Sequence, residues 1–79
     1  MDSQTIEDNL IFSPEEMERL VGRVRHQLGG RLRGFRVQVR GGGLILHGRS
    51  ATFYAKQLAQ HAVMQATELP ILANDIEVR

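Results

Sequence analysis

The chain has 79 residues, no cysteine and a formal net charge of +1. A chain of this length forms one small domain, and without cysteine it has neither disulfides nor thiolate-bound zinc, so its core must come from the 42% of residues that are apolar. No apolar run approaches the roughly 18 residues of a membrane span. We therefore expect a soluble, cytoplasmic protein, for which peripheral association with a membrane stays open.

The small net charge hides a separation of charge along the chain. Residues 1–18 carry six acids and no base, residues 19–56 carry eight arginines and one lysine without an acid, and residues 57–79 carry three acids and one arginine. A block of one sign is usually a solvated face. The central block therefore predicts either such a face or a surface that binds anions.

Residues 1–12 are polar and acidic, which predicts a flexible N-terminal segment before a folded domain over residues 13–79. The first helix should begin after Ser13, because Ser13 and Glu16 can form a capping box around Pro14. Apolar residues at helical spacing give this helix one buried stripe: Met17, Leu20, Val21, Val24 and Leu28. Two glycines after the stripe should end the helix.

The next two segments alternate between apolar and polar residues, as half-buried strands do. In the first strand the predicted core residues are Phe35, Val37 and Val39, and the predicted outer residues are Arg36, Gln38 and Arg40. The glycine triplet 41–43 can adopt the positive φ values of a tight hairpin. The second strand should then point Leu44 and Leu46 to the core and Ile45, His47 and Arg49 outward. Its Gly48 indicates a bulge or a close backbone contact.

Ser50 is the predicted cap of a second helix over residues 51–67, which must end before Pro70. One face of this helix is rich in alanine: Ala55, Leu58, Ala59, Ala62, Val63 and Ala66. Phe53 and Met64 lie on the other side and are candidates for a protein contact, either a symmetric dimer or a larger partner. The alternative is that both are ordinary scattered surface residues. A last strand has Leu72, Asn74, Ile76 and Val78 in one phase.

The order α-β-β-α-β, with one apolar side on every element, predicts an α+β fold. Two helices should pack on one face of a three-stranded mixed sheet, with strand three parallel to strand two. On the open face Asp75 and Glu77 would lie beside His47 and Arg49 and neutralise part of the positive charge. Four arginines remain as the candidate site for an anion or a partner: Arg31, Arg33, Arg36 and Arg40.

These elements resemble the BON domain, a small bacterial module with the same α-β-β-α-β order. The hairpin of that family reads roughly D-G-x-V-x-L-x-G, and its closing strand reads V-x-N-x-I-x-V. The matching positions in this sequence are Gly42, Leu44, Leu46 and Gly48, followed by Leu72, Asn74, Ile76 and Val78. The resemblance covers residues 17–79 and implies a non-catalytic binding or adaptor module, suggested to hold proteins at phospholipid membranes or other envelope components. It also implies that the matched residues determine the fold.

The sequence offers no clear constellation for catalysis or for metal binding, so we expect neither an enzyme nor a cofactor. His26, His47 and His61 have no i,i+4 partner, and Ser50 is explained as a cap. The arginines could instead contact nucleic-acid phosphates nonspecifically, which is the alternative function. Sheet-based RNA readers place aromatic residues on the open face, whereas Phe35 is predicted to point to the core. A protein partner or an anionic phospholipid surface is therefore the favoured ligand.

Overall fold

The structure, a computed structural model, describes residues 13–79. The elements in chain order are helix α1 (Pro14–Leu28), strand β1 (Leu32–Arg40), strand β2 (Gly43–Ser50), helix α2 (Phe53–Ala66) and strand β3 (Ile71–Val78). Strand β2 lies in the centre of the sheet, antiparallel to β1 and parallel to β3. Both helices pack on one face of this sheet. The predicted α+β fold is confirmed, whereas the predicted flexible segment over residues 1–12 lies outside the described residues.

Helix α1 begins with the predicted capping box. The Ser13 hydroxyl accepts a hydrogen bond from the Glu16 backbone N–H at 3.1 Å, and the Glu16 carboxylate accepts one from the Ser13 N–H at 3.3 Å. The two bonds satisfy backbone donors that the first turn would otherwise leave free. Three residues of the apolar stripe are buried against the sheet: Leu20, Val24 and Leu28.

The core lies between the helices and the covered face of the sheet. Its largest fully buried side chains are Phe35, Leu44, Leu46, Ile76, Val24 and Val63. Helix α2 approaches the strands through Ala55, Ala59 and Ala62, all of which are buried. Small side chains allow the helix axis to lie close to the sheet, which confirms the alanine-rich face as the packing face.

The hairpin turn and an adjacent bulge set the register of β1 on β2. Gly41 and Gly42 have φ values of 53° and 81°, so a two-residue turn of the primed type joins the strands. Farther along, Gly34 and Phe35 together lie opposite Gly48. A Cβ atom at Gly48 would lie 3.1 Å from the Arg33 carbonyl oxygen, which confirms the predicted close backbone contact.

Asn74 connects β3 to α2. Its side-chain amide donates to the Lys56 carbonyl oxygen at 3.2 Å and to Gln60 Oε1 at 3.1 Å. Its Oδ1 atom accepts from the Ile76 backbone N–H at 3.2 Å. An asparagine in a strand is explained here by bonds that fix the strand to the helix above it.

The predicted cap of the second helix is wrong by two residues. Thr52 is the N-cap, because its hydroxyl accepts a hydrogen bond from the Ala55 N–H at 3.0 Å. Ser50 instead ends β2, where its backbone pairs with both neighbouring strands, and its hydroxyl donates to the Thr52 carbonyl oxygen at 2.9 Å. The sheet therefore extends farther than the helix-cap pattern indicated.

Three residues that alternation places in the core phases are exposed: Val39, Leu72 and Val78, the last of which is 42% exposed at the end of β3. Leu72 is 53% exposed because β3 bulges there: Ile71 pairs with Leu44, and Ala73 pairs with the next residue of β2. The Leu72 side chain lies over Gly43. Val39 keeps the predicted phase but is 47% exposed, since it lies near the end of an edge strand with a neighbouring strand on one side only.

Candidate anion-binding site

The open face of the sheet is organised in rows that run across the three strands. From the end far from the hairpin, the rows are Arg33–Arg49–Glu77, Arg36–His47–Asp75 and Gln38–Ile45–Ala73. The predicted placement of the two β3 acids beside His47 and Arg49 is therefore correct in register. Ile45 is buried although it belongs to this face, because its neighbours in the row flank it on both sides.

Arg33 and Arg49 lie directly opposite each other in the antiparallel pair of β1 and β2. Both are exposed. The β1 bulge positions Arg33, since it lets Leu32 and Phe35 both face the core while the arginine between them faces outward. Like charges directly opposite each other destabilise a sheet. The fold gains nothing electrostatically from this pair.

Two more arginines join this pair at the end of the sheet. A depression of about 270 Å³ is lined by Gly30, Arg31, Arg33, Arg49, Ser50, Ala51 and Arg79. We call its four arginines, Arg31, Arg33, Arg49 and Arg79, the arginine site. They come from the turn after α1, from β1, from β2 and from the residue after β3. No acidic side chain lines this depression.

A larger depression of about 460 Å³ adjoins the arginine site on the open face. It shares Arg33 and Arg49 with that site and adds Arg36, His47 and the two β3 acids. His47 Nε2 lies 3.0 Å from Gln38 Oε1, in a contact across the strands. The middle row of the open face thus combines Arg36 with Asp75, whereas the end of the face carries four arginines and one acid, Glu77.

The acids of β3 were expected to neutralise Arg49, but Arg49 makes no ion pair closer than 4.0 Å within the described residues. Within residues 13–79, the one ion pair closer than 4.0 Å joins Arg79 Nε to Glu77 Oε1 at 3.5 Å. Both side chains are more than half exposed, and such a pair contributes little to stability. Glu77 thus contacts Arg79 rather than Arg49, although it is paired in register with Arg49.

The structure separates the four arginines that the sequence placed together. Arg31 and Arg33 belong to the arginine site, and Arg36 lies in the neighbouring depression. Arg40 pairs with Gly43 beside the hairpin and lines neither depression. It lies roughly 20 Å along the strand from Arg33, at about 3.3 Å per residue. The candidate site is therefore at the end of the sheet opposite the hairpin.

The sequence interpretation missed Arg49 and Arg79. The alternating pattern predicts that Arg49 pairs with the last strand, and no local pattern of the sequence marks Arg79 as a site residue. The Arg79 backbone N–H donates to the Ser50 carbonyl oxygen at 2.8 Å, which continues the parallel register of β2 and β3 by one step. Extending the predicted register to the last residue would have brought Arg79 beside the end of β2.

The other candidate surface, on α2, remains exposed. Phe53 and Met64 are 60% and 58% exposed, and the neighbouring Tyr54, which the sequence interpretation did not single out, is 67% exposed. These residues lie on the helix that covers the sheet, and none of them lines the arginine site.

Within residues 13–79, no cluster of three histidine or acidic side chains has the spacing to hold a metal ion, and no helix is both long and apolar enough to cross a membrane. Comparisons with protein-family models, with curated proteins and with solved structures find no match to this chain. Its function must therefore be inferred from its own residues and their geometry.

Proposed function

We propose that the chain is a non-catalytic binding module of BON type that acts in the cytoplasm and attaches to an anionic phospholipid surface through the arginine site. The α-β-β-α-β order and the hairpin and closing-strand motifs support the BON type. In the fold, Gly42 makes the turn, Leu44 and Leu46 are fully buried, and Gly48 and Asn74 hold the contacts described above. Ile76 completes the core beneath β3.

The observation that carries the proposal is the opposed pair Arg33 and Arg49 with Arg31 and Arg79 beside it. Four arginines converge on one depression that no acidic side chain lines. Such an arrangement weakens the sheet by repulsion, and a bound anion would relieve that repulsion. Guanidinium groups bind phosphate oxygens through paired, charge-assisted hydrogen bonds, so the phosphodiester groups of an anionic phospholipid surface fit this set of side chains.

The strength of this attachment follows from the number of arginines. Each basic residue near an anionic leaflet contributes about 1 kcal/mol, so four contribute at most about 4 kcal/mol, and less to the extent that Glu77 neutralises Arg79. The upper value corresponds to a dissociation constant of about 1 mM in accessible lipid. The module would therefore bind reversibly, and its attachment would weaken as salt screens the charges.

Nonspecific nucleic-acid binding is the alternative and would use the same arginines. Nucleic-acid bases could not stack on aromatic side chains here, because the open face of the sheet in residues 13–79 carries no phenylalanine, tyrosine or tryptophan. Phe35 is 1% exposed and belongs to the core. Single-stranded nucleic acid would be held by phosphate contacts alone, which favours the lipid surface.

Cosedimentation with vesicles tests the proposal. The protein is mixed with vesicles of neutral phosphatidylcholine and with vesicles that also contain phosphatidylglycerol, at low and at physiological salt. We expect binding to the anionic vesicles alone, with a bound fraction that falls as salt rises. Equal absence from both pellets at low salt would contradict the proposal. A parallel titration with single-stranded DNA that binds more tightly than the anionic vesicles would replace it by the alternative function.

A further inference from the structure

The outer face of α2 differs in charge from that of α1. Helix α1 carries six charged residues, whereas α2 carries one, Lys56. The side of α2 opposite its alanine face presents Phe53, Gln57 and Met64, and Gln60 lies half-buried at its edge, where its Oε1 accepts from Asn74. We call these four residues the α2 stripe. Solvent-exposed helices usually carry charge on their outer side, and depletion of charge around exposed aromatic and methionine side chains is typical of protein interfaces.

The stripe has a symmetric spacing. At 100° per residue its four members fall within about 60° of one another around the helix, so they form a line along the axis. The intervals between successive members are four, three and four residues. When a second α2 helix is laid antiparallel on the first, Phe53 meets Met64 of the second copy, and Gln57 meets its Gln60. One two-fold axis between the central glutamines therefore pairs every member of the stripe.

The Met64 end of the stripe offers a place for the aromatic ring. A groove of about 500 Å³ lies there, lined in part by Gln60, Met64, Leu69 and Pro70. A phenylalanine ring in this groove would contact the methionine sulfur, an attractive interaction in addition to apolar burial. The exposed ring at one end of the helix and the groove at the other are complementary.

Charge supports the same orientation. The first turn of α2 contains no acid and its last turn contains no base, so neither end of the helix dipole is compensated by a side chain of its own helix. Glu68 lines the groove at the C-terminal end. In the antiparallel pair this carboxylate lies near the first turn of the other helix, whose positive end attracts it.

From these features we propose that the α2 stripe is the interface of a symmetric homodimer, with Phe53 of each copy seated in the groove beside Met64 of the other. Two single helices bury less than the roughly 800 Å² per partner of a standard interface, so the dimer is weak and depends on concentration. The stripe shares no residue with the arginine site, although Ala51 of that site lies two residues before Phe53 in the chain. The inference rests on the stripe and the groove beside it, and does not depend on the proposed function.

Sedimentation equilibrium over a range of concentrations is the first test. We expect the wild type to pass from monomer to dimer as concentration rises. Phe53→Ala and Met64→Ala should each weaken association at least about tenfold, as loss of an interface anchor does. Tyr54→Ala is the matched control, because this exposed aromatic residue points about 100° away from Phe53 and should leave association unchanged. A wild type that stays monomeric at millimolar concentration would overturn the proposal.

Disulfide trapping tests the antiparallel register, since the chain has no cysteine of its own. Phe53→Cys and Met64→Cys are made as separate proteins and oxidised alone and as a mixture. The two positions lie about 16 Å apart along one helix, too far for a disulfide within a chain or between equivalent residues of the antiparallel pair. We expect cross-linked dimers in the mixture, which keeps one native Phe53–Met64 contact. Cross-linking of Phe53→Cys with itself at an equal rate would contradict the register.

Discussion

The two faces of the sheet are made from alternating residues of the same three strands, yet different forces determine them. On the covered face, Leu44, Leu46 and Ile76 fill a closed core beneath the helices. On the open face, Arg33 and Arg49 lie opposite each other without an ion pair closer than 4.0 Å in the described residues. Packing explains why the three core positions are apolar, but it does not explain why Arg33 and Arg49 are arginines. A feature that the fold does not require is where a binding function is best sought.

The largest effect expected from this contrast is on stability. Leu46→Ala removes a fully buried side chain and should lower the free energy of unfolding by about 3 kcal/mol. Arg36→Ala, at an exposed position of the open face, should change it by less than about 0.5 kcal/mol. Urea unfolding followed by circular dichroism measures both values. Similar losses for the two variants would mean that the open face also contributes to the core energetics.

A smaller effect is expected at the bulge that turns Arg33 outward. Gly48→Ala should lower the free energy of unfolding by about 2 kcal/mol, because its φ of 150° and the Arg33 carbonyl oxygen at 3.1 Å both oppose a Cβ atom. Gly22→Ala is the control: nothing lies within 4 Å of its added Cβ in the middle of α1, and alanine there should stabilise by about 1 kcal/mol. The same unfolding assay compares them, and a neutral Gly48→Ala would show that the bulge can relax.

The smallest effect concerns the opposed arginines themselves. Replacing Arg49 by glutamine removes a like-charge pair from the antiparallel strands and should raise the free energy of unfolding by several tenths of a kcal/mol at low salt. The gain should shrink as salt screens the charges. A loss of stability on this substitution would show that Arg49 has a stabilising contact, which would weaken the case for a binding role.

Local patterns in the sequence were sufficient for the fold, because each element carries its own period and its own end signals. The capping box at Ser13, the glycine turn and the alanine face of α2 each specify structure within a few residues. The alternating pattern predicted the wrong face for Leu72, because Leu72 is an extra, bulged residue between two paired residues of β3.

The site was harder to predict, because it depends on register between distant segments. Sequence proximity grouped Arg40 with Arg33, whereas the strand holds them at opposite ends. Arg79 joins Arg49 only through the parallel pairing of β3 with β2. Such a contact depends on the full topology, and no local pattern of residues encodes it.

The central claim is that the arginine site, rather than the overall positive charge, attaches the chain to anionic surfaces. Its most direct test is the partition coefficient onto phosphatidylglycerol vesicles for two double variants with the same change in net charge. Arg33→Gln with Arg49→Gln should weaken partitioning about 30-fold, since two contributions of about 1 kcal/mol are lost. Arg19→Gln with Arg23→Gln, on the exposed side of α1, should weaken it less than about threefold through long-range charge alone. Equal losses for the two double variants would contradict the claim.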